Sequence, residues 1–87
     1  MMPEPRDTRL RRLTMRSMRR GIREMDILMS RYAAARLEGL SDPDLDLYDT
    51  LLEENDHDLY QWVSGQVTAP DRYRAMIDDI ASVPADI

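Results

Sequence analysis

The sequence predicts an all-α fold, a small compact five-helix bundle forming a single domain. Three observations lead there. Apolar residues recur at intervals of three and four in successive stretches, the spacing of a helix face. Between these stretches stand Gly, Ser-Asp-Pro, Asn-Asp and Thr-Ala-Pro-Asp signals of the kind that stop one helix and start the next. The chain has 87 residues, three glycines and no phenylalanine. That length holds one small core, and a composition poor in β-branched and aromatic residues favours helix over strand.

The elements follow in order. Residues 1–6, with two prolines, are expected to be loose. Asp7 or Thr8 caps a first helix that runs to about Arg20, with Leu10, Leu13, Met18 and Ile22 on its apolar side. Arg9, Arg12, Arg16, Arg19 and Arg23 recur on the same helical pattern and form a basic stripe, read as a solvated face or as a phosphate-binding one. Gly21 marks a joint between helices or a bend, since glycine inside an exposed helix costs ~1 kcal/mol. Arg20 and Glu24, four apart, can pair on one face. A second helix carries Ile22, Met25, Leu28, Met29, Tyr32, Ala33 and Leu37 and stops at Gly39. Ser41 caps a third, with Asp44 three residues on and Pro43 in its first turn. Leu45, Tyr48, Leu51 and Leu52 form its buried stripe, and it ends near Glu54. Asn55 or Asp56 caps a fourth helix holding Leu59, Tyr60, Trp62 and Val63, closed by Gly65. Trp62, the single tryptophan, is expected to anchor the packing. Thr68-Ala69-Pro70-Asp71 opens a fifth helix with Tyr73, Met76, Ile77 and Ile80. Pro84 ends the ordered part, leaving 84–87 loose.

The net charge of −5 hides an asymmetry. Residues 1–36 hold ten arginines against four acids, and residues 37–87 hold two against thirteen. Every basic residue is arginine, which pairs bidentately with carboxylate or phosphate. The chain is thus a basic arm on an acidic body.

Several kinds of chemistry are excluded. Without cysteine there is no thiol nucleophile, thiolate metal site or disulfide, which fits a reducing compartment. His57 is the only histidine and reads as a solvated first-turn residue, not a metal ligand. Phosphate-loop, dinucleotide and nucleophile–histidine patterns are missing. No enzyme is expected; the methionines crowding the region of the second helix read as core filler. No apolar run approaches the ~20 residues of a membrane span. Residues 6–23, rich in arginine and poor in acids, are similar to a mitochondrial transit peptide. They run unbroken into the Gly21 joint, however, and are read as a structural helix.

Two blocks carry a family resemblance. Arg20-Gly21-Ile22-Arg23-Glu24 matches the RGxxE motif of the SdhE-type FAD assembly factors, the succinate dehydrogenase assembly factor 2 family. Arg19-Arg20-Gly21 with Glu24-Met25-Asp26 resembles that family's RRGxxELD segment. Leu51-Leu52-Glu53, Asp56, Asp58-Leu59 and Trp62 resemble its LLExxDxDLxxW segment at a matching distance. The resemblance covers roughly residues 16–65.

It implies a five-helix bundle that acts as an assembly factor or chaperone. Such a factor binds the flavoprotein subunit of succinate dehydrogenase, or of fumarate reductase, and promotes covalent attachment of FAD to a histidine there. Carried over by position, Arg20, Gly21 and Glu24 contact that partner, with Arg19, Arg23 and Asp26 as flanking contacts. Leu52, Leu59 and Trp62 belong to the core. Arg20 and Glu24 would exchange a mutual pair for partner contacts. No cofactor of its own is implied, since the flavin belongs to the partner. A monomer in the bacterial cytoplasm is expected, or in the mitochondrial matrix for a eukaryotic source. Two other readings stay open: a nucleic-acid-binding domain using the arginine stripe, disfavoured by a pI near 4.7, and a toxin–antitoxin partner.

Overall fold

The computed structural model describes residues 4–83, and within them the chain forms five α-helices and no strand. They are α1 (Arg6–Arg16), α2 (Arg23–Arg36), α3 (Asp42–Leu51), α4 (Asp56–Val63) and α5 (Asp71–Ser82), with a single 3-10 turn, Leu37–Gly39, extending α2. Residues 1–3 and 84–87, where loose ends are expected, lie outside the described residues; Arg6 already opens α1.

Local signals set most of the boundaries. Ser41 Oγ accepts from the Asp44 N–H at 3.2 Å, and Asn55 Oδ1 accepts from the His57 N–H at 2.8 Å. Each satisfies one of the free donors at a helix start. Gly65 has φ +83, the left-handed conformation that closes a helix. Pro70 precedes α5 without any side-chain cap. Proline also replaces the expected Asp7 or Thr8 cap of α1: Pro5 stands at that position, and its carbonyl accepts from the Arg9 N–H at 2.9 Å.

The buried side chains are those with helical spacing. Leu13 comes from α1; Met25, Met29 and Tyr32 from α2; Leu45, Tyr48 and Leu51 from α3; Leu59 from α4; Tyr73, Ile77 and Ile80 from α5. The central element is α2, against which α1, α4 and α5 all pack. Tyrosines, not the tryptophan, anchor this core. Tyr32, Tyr48 and Tyr73 are fully buried, and the Tyr32 and Tyr48 rings stand 5.5 Å apart. Trp62 is only partly buried, tilted against Tyr73 with ring centroids 5.8 Å apart. On the short α4 it faces the rim, while Leu59 takes the inner position.

The other departure is the end of α1 at Arg16 instead of near Arg20. Ser17, fully buried, turns its hydroxyl back onto the Leu13 carbonyl at 2.8 Å and meets the Tyr48 hydroxyl at 2.6 Å. A side chain bonded to its own preceding turn competes with helix continuation. Beyond it the chain turns, and Met18, expected on the apolar side, is exposed.

Candidate functional site

The site is built where α1 gives way to α2. Arg19 adopts φ +56, a left-handed conformation that an L-residue enters at a cost of ~1–2 kcal/mol. Its N–H is held by Asp26 Oδ1 at 3.0 Å, and the same oxygen accepts from Ser30 Oγ at 3.3 Å. Asp26 is therefore a brace for the turn.

Arg20 points inward. Its guanidinium makes four contacts: Nε to Asp56 Oδ1 at 2.9 Å, Nη2 to the same oxygen at 2.7 Å, Nη1 to the Arg16 carbonyl at 3.0 Å, and Nη2 to the Leu52 carbonyl at 3.1 Å. Its side chain is 11% exposed and that of Asp56 16%. Arg16 and Leu52 lie at the ends of α1 and α3, where carbonyls lack helical partners, and Asp56 opens α4. One planar cation thus joins three helix ends: the carbonyl ends of α1 and α3 suit its charge directly, and at the N-terminus of α4 the Asp56 carboxylate makes the contact. This overturns the expected pairing with Glu24. Arg20 pairs across the fold because the chain between it and Arg23 is not helical.

Gly21 completes the arrangement. Its N–H donates to Asp56 Oδ2 at 2.6 Å. A Cβ at this position would lie 3.0 Å from that oxygen, which Arg20 keeps from swinging away. The glycine is needed for this close approach, while the left-handed turn falls on Arg19.

Arg19, Arg23 and Glu24 remain on the outside. Nine of the twelve arginines form ion pairs among the described residues, and Arg19, Arg23 and Arg31 form none. Of the basic stripe, read from sequence as a solvated or a phosphate-binding face, Arg9, Arg12 and Arg16 are spent inside the molecule. Arg6 pairs with Asp42, Arg9 with Asp46, Arg12 with Asp49, and Arg16 with Asp49 and Glu53. Hydrogen bonding from Arg12 holds the Asp49 carboxyl below the usual carboxylate range, against the opposing effect of burial. Hydrogen bonds from Arg12 to Glu4 and Asp49 in turn raise the Arg12 pKa.

Of the six residues expected as contacts, the structure brings all to one joint but divides their work. Arg20, Asp26 and the Gly21 N–H shape the turn; Arg19, Arg23 and Glu24 present side chains to solvent. Asp56 was not among the expected site residues. Its signal lay in the second motif, Leu51 to Trp62, which places an aspartate at a helix start.

Fold and joint together define the class: a small all-helical domain that displays a charged surface at one helix junction. The chain belongs to the family described as the flavinator of succinate dehydrogenase, whose model matches residues 11–84. It is 45% identical over 74 residues to the mitochondrial succinate dehydrogenase assembly factor 2 of Meyerozyma guilliermondii, covering 82% of this chain and 55% of that protein. The factor of the same name from Schizosaccharomyces pombe is 39% identical over 72 residues, covering 83% and 52%. That of Saccharomyces cerevisiae is 43% identical over 61 residues, covering 70% and 38%. The chain thus spans about half the length, or less, of these relatives. They are eukaryotic and named mitochondrial, which points to mitochondria and overturns the expected bacterial cytoplasm. Composition could not separate the two, because a cysteine-free chain fits either reducing compartment.

Proposed function

We propose that this chain docks on the flavoprotein subunit of succinate dehydrogenase, or of fumarate reductase, and promotes covalent attachment of FAD to a histidine of that subunit. The observation that carries this reading is the family match over residues 11–84. The exposed joint supports it, because the charges left without an internal partner are available to another protein.

The chain acts by positioning. Docked through Arg19, Arg23 and Glu24, it holds parts of the flavoprotein in the geometry where the bonding groups meet. The bond forms between groups of the flavoprotein. A resident flavin is not part of this reading. The hollow of about 450 Å³ beside α1 and α2 is lined mainly by Leu10, Met15, Ala33 and Leu37, with Arg11, Thr14 and Glu38 beside them. The one buried polar side chain among the described residues, Ser17, is already bonded to Leu13 and Tyr48. In this reading FAD stays with the partner, and the part played by this chain is positioning.

The test is in-gel fluorescence of covalent flavin in the flavoprotein subunit, co-produced with this chain or with its Gly21→Arg and Glu24→Ala variants. Both variants are expected to lower covalent flavin severalfold. Glu24→Ala is the cleaner, since Glu24 is exposed and its loss leaves the fold intact by circular dichroism. Full flavin attachment with both variants, or without this chain, would end the proposal.

A further inference from the structure

Counted along α2 at ~100° per residue, Arg23, Glu24, Ile27 and Arg31 fall within an arc of roughly 100°. The opposite arc carries Met25, Met29 and Tyr32, all fully buried. Two features set the outer arc apart. It holds two of the three arginines without an ion pair among the described residues, and the third, Arg19, adjoins it across the joint. It also carries Ile27, 41% exposed, one of few large apolar side chains so placed.

On a molecule of net charge −5 whose other arginines are neutralised by its own acids, this face keeps a surplus of positive charge. We infer that the docking surface is not confined to the Arg19–Glu24 joint but runs along the outer face of α2 through Ile27 to Arg31, and that it takes a carboxylate-bearing face of the flavoprotein. This rests on the proposed function and deepens it. The guanidinium groups pair with the partner's carboxylates, for which arginine geometry is suited. Ile27 fills an apolar spot between them and excludes water from the pairs, the arrangement of a contact with an apolar centre and a charged rim. Glu24, at the joint end, sets the polarity of the docking. Unlike charges placed face to face speed encounter and fix register, and their effect falls with salt.

The experiment is calorimetric titration of the purified chain into the isolated flavoprotein subunit at low and high salt. Ile27→Asp and Arg31→Glu are each expected to weaken binding by about tenfold or more. Arg31→Lys retains most of the affinity, and Arg74→Glu, whose arginine pairs with Asp71 on α5, leaves it unchanged. Helicity stays at the level of the unaltered chain, and binding by Arg31→Glu depends less on salt. Undiminished affinity in Ile27→Asp and Arg31→Glu, with Glu24→Ala still disruptive, would confine the contact to the joint and overturn this inference alone. An unaltered chain that does not bind would overturn the proposed function and this inference with it. Sedimentation showing a dimer that Arg31→Glu dissolves, or displacement of the flavoprotein by a short DNA duplex, would give the face another occupant and overturn it too.

Discussion

At the scale of single residues, the joint depends on a carboxylate that belongs to another helix. Asp56 binds the Arg20 guanidinium and the Gly21 N–H at once. Removing it leaves a nearly buried cation without its counter-charge, and breaking such pairs is costly. Asp56→Ala is expected to lower the unfolding free energy by about 3 kcal/mol, read from urea denaturation. Arg20→Lys also destabilises, because an ammonium cannot reach the Arg16 and Leu52 carbonyls and Asp56 together. A loss below about 1 kcal/mol in Asp56→Ala would mark the pair as no stronger than a surface one. The sequence announced Gly21 and Arg20 as special and placed the joint at Gly21, but it gave Arg20 the wrong partner within the fold. RGxxE spacing invites a local pair with Glu24. The actual partner lies 36 positions away, and no periodicity along one helix can name it.

At the scale of elements, α1 is held in an unusual way. One of its apolar residues, Leu13, is fully buried and Leu10 packs partly buried against the core, while a series of arginine–carboxylate pairs ties it to α3 and the turn that follows. Exposed pairs contribute little each, ~0–1 kcal/mol, but Asp49 is shared by two arginines and is partly buried. Its carboxyl is held below the usual range, first by the hydrogen bond from Arg12. The folded state therefore releases that proton more readily than the unfolded one, whose carboxyl titrates near ~3.9. The resulting stability is present above that value and is lost as pH falls through the lowered folded pKa. Urea denaturation across the acid range is expected to show this decline, with Asp49→Asn shallower in slope and less stable at neutral pH. Equal acid slopes for the two proteins would show that other carboxylates govern the decline. The two halves of this attachment were each visible in the sequence, arginines at 9, 12 and 16 and acids at 42, 46, 49 and 53. Nothing in their spacing says that the two rows face each other and not a nucleic acid.

For the whole molecule, the core is one cluster to which all five helices contribute, with three tyrosines at its largest positions. Burial pushes the Tyr48 hydroxyl up to about 12, and burial is also the main cause of the upward shifts at Tyr32 and Tyr73. Asp79 adds to it at Tyr32 and Glu54 at Tyr73. The neutral phenols are favoured in the folded state, so their contribution is complete below the ordinary value near ~10 and is lost as pH rises through the raised ones. Tyrosinate absorbance and helical circular dichroism are expected to change together above about pH 10. Tyrosinate forming at full helicity would show that the core tyrosines are accessible to hydroxide while the bundle is intact.

What the sequence determined by itself was the set of interactions reaching only a few residues along the chain. Helix faces, the caps at Ser41 and Asn55, the stop at Gly65 and the number of helices all follow from spacing and short-range hydrogen bonding. Only the tertiary structure decided which arginines are consumed and which are left over. Composition does not tell them apart, and their fates differ because helix packing brings Asp42, Asp46, Asp49 and Asp56 up to some of them and leaves Arg19, Arg23 and Arg31 with no ion pair among the described residues.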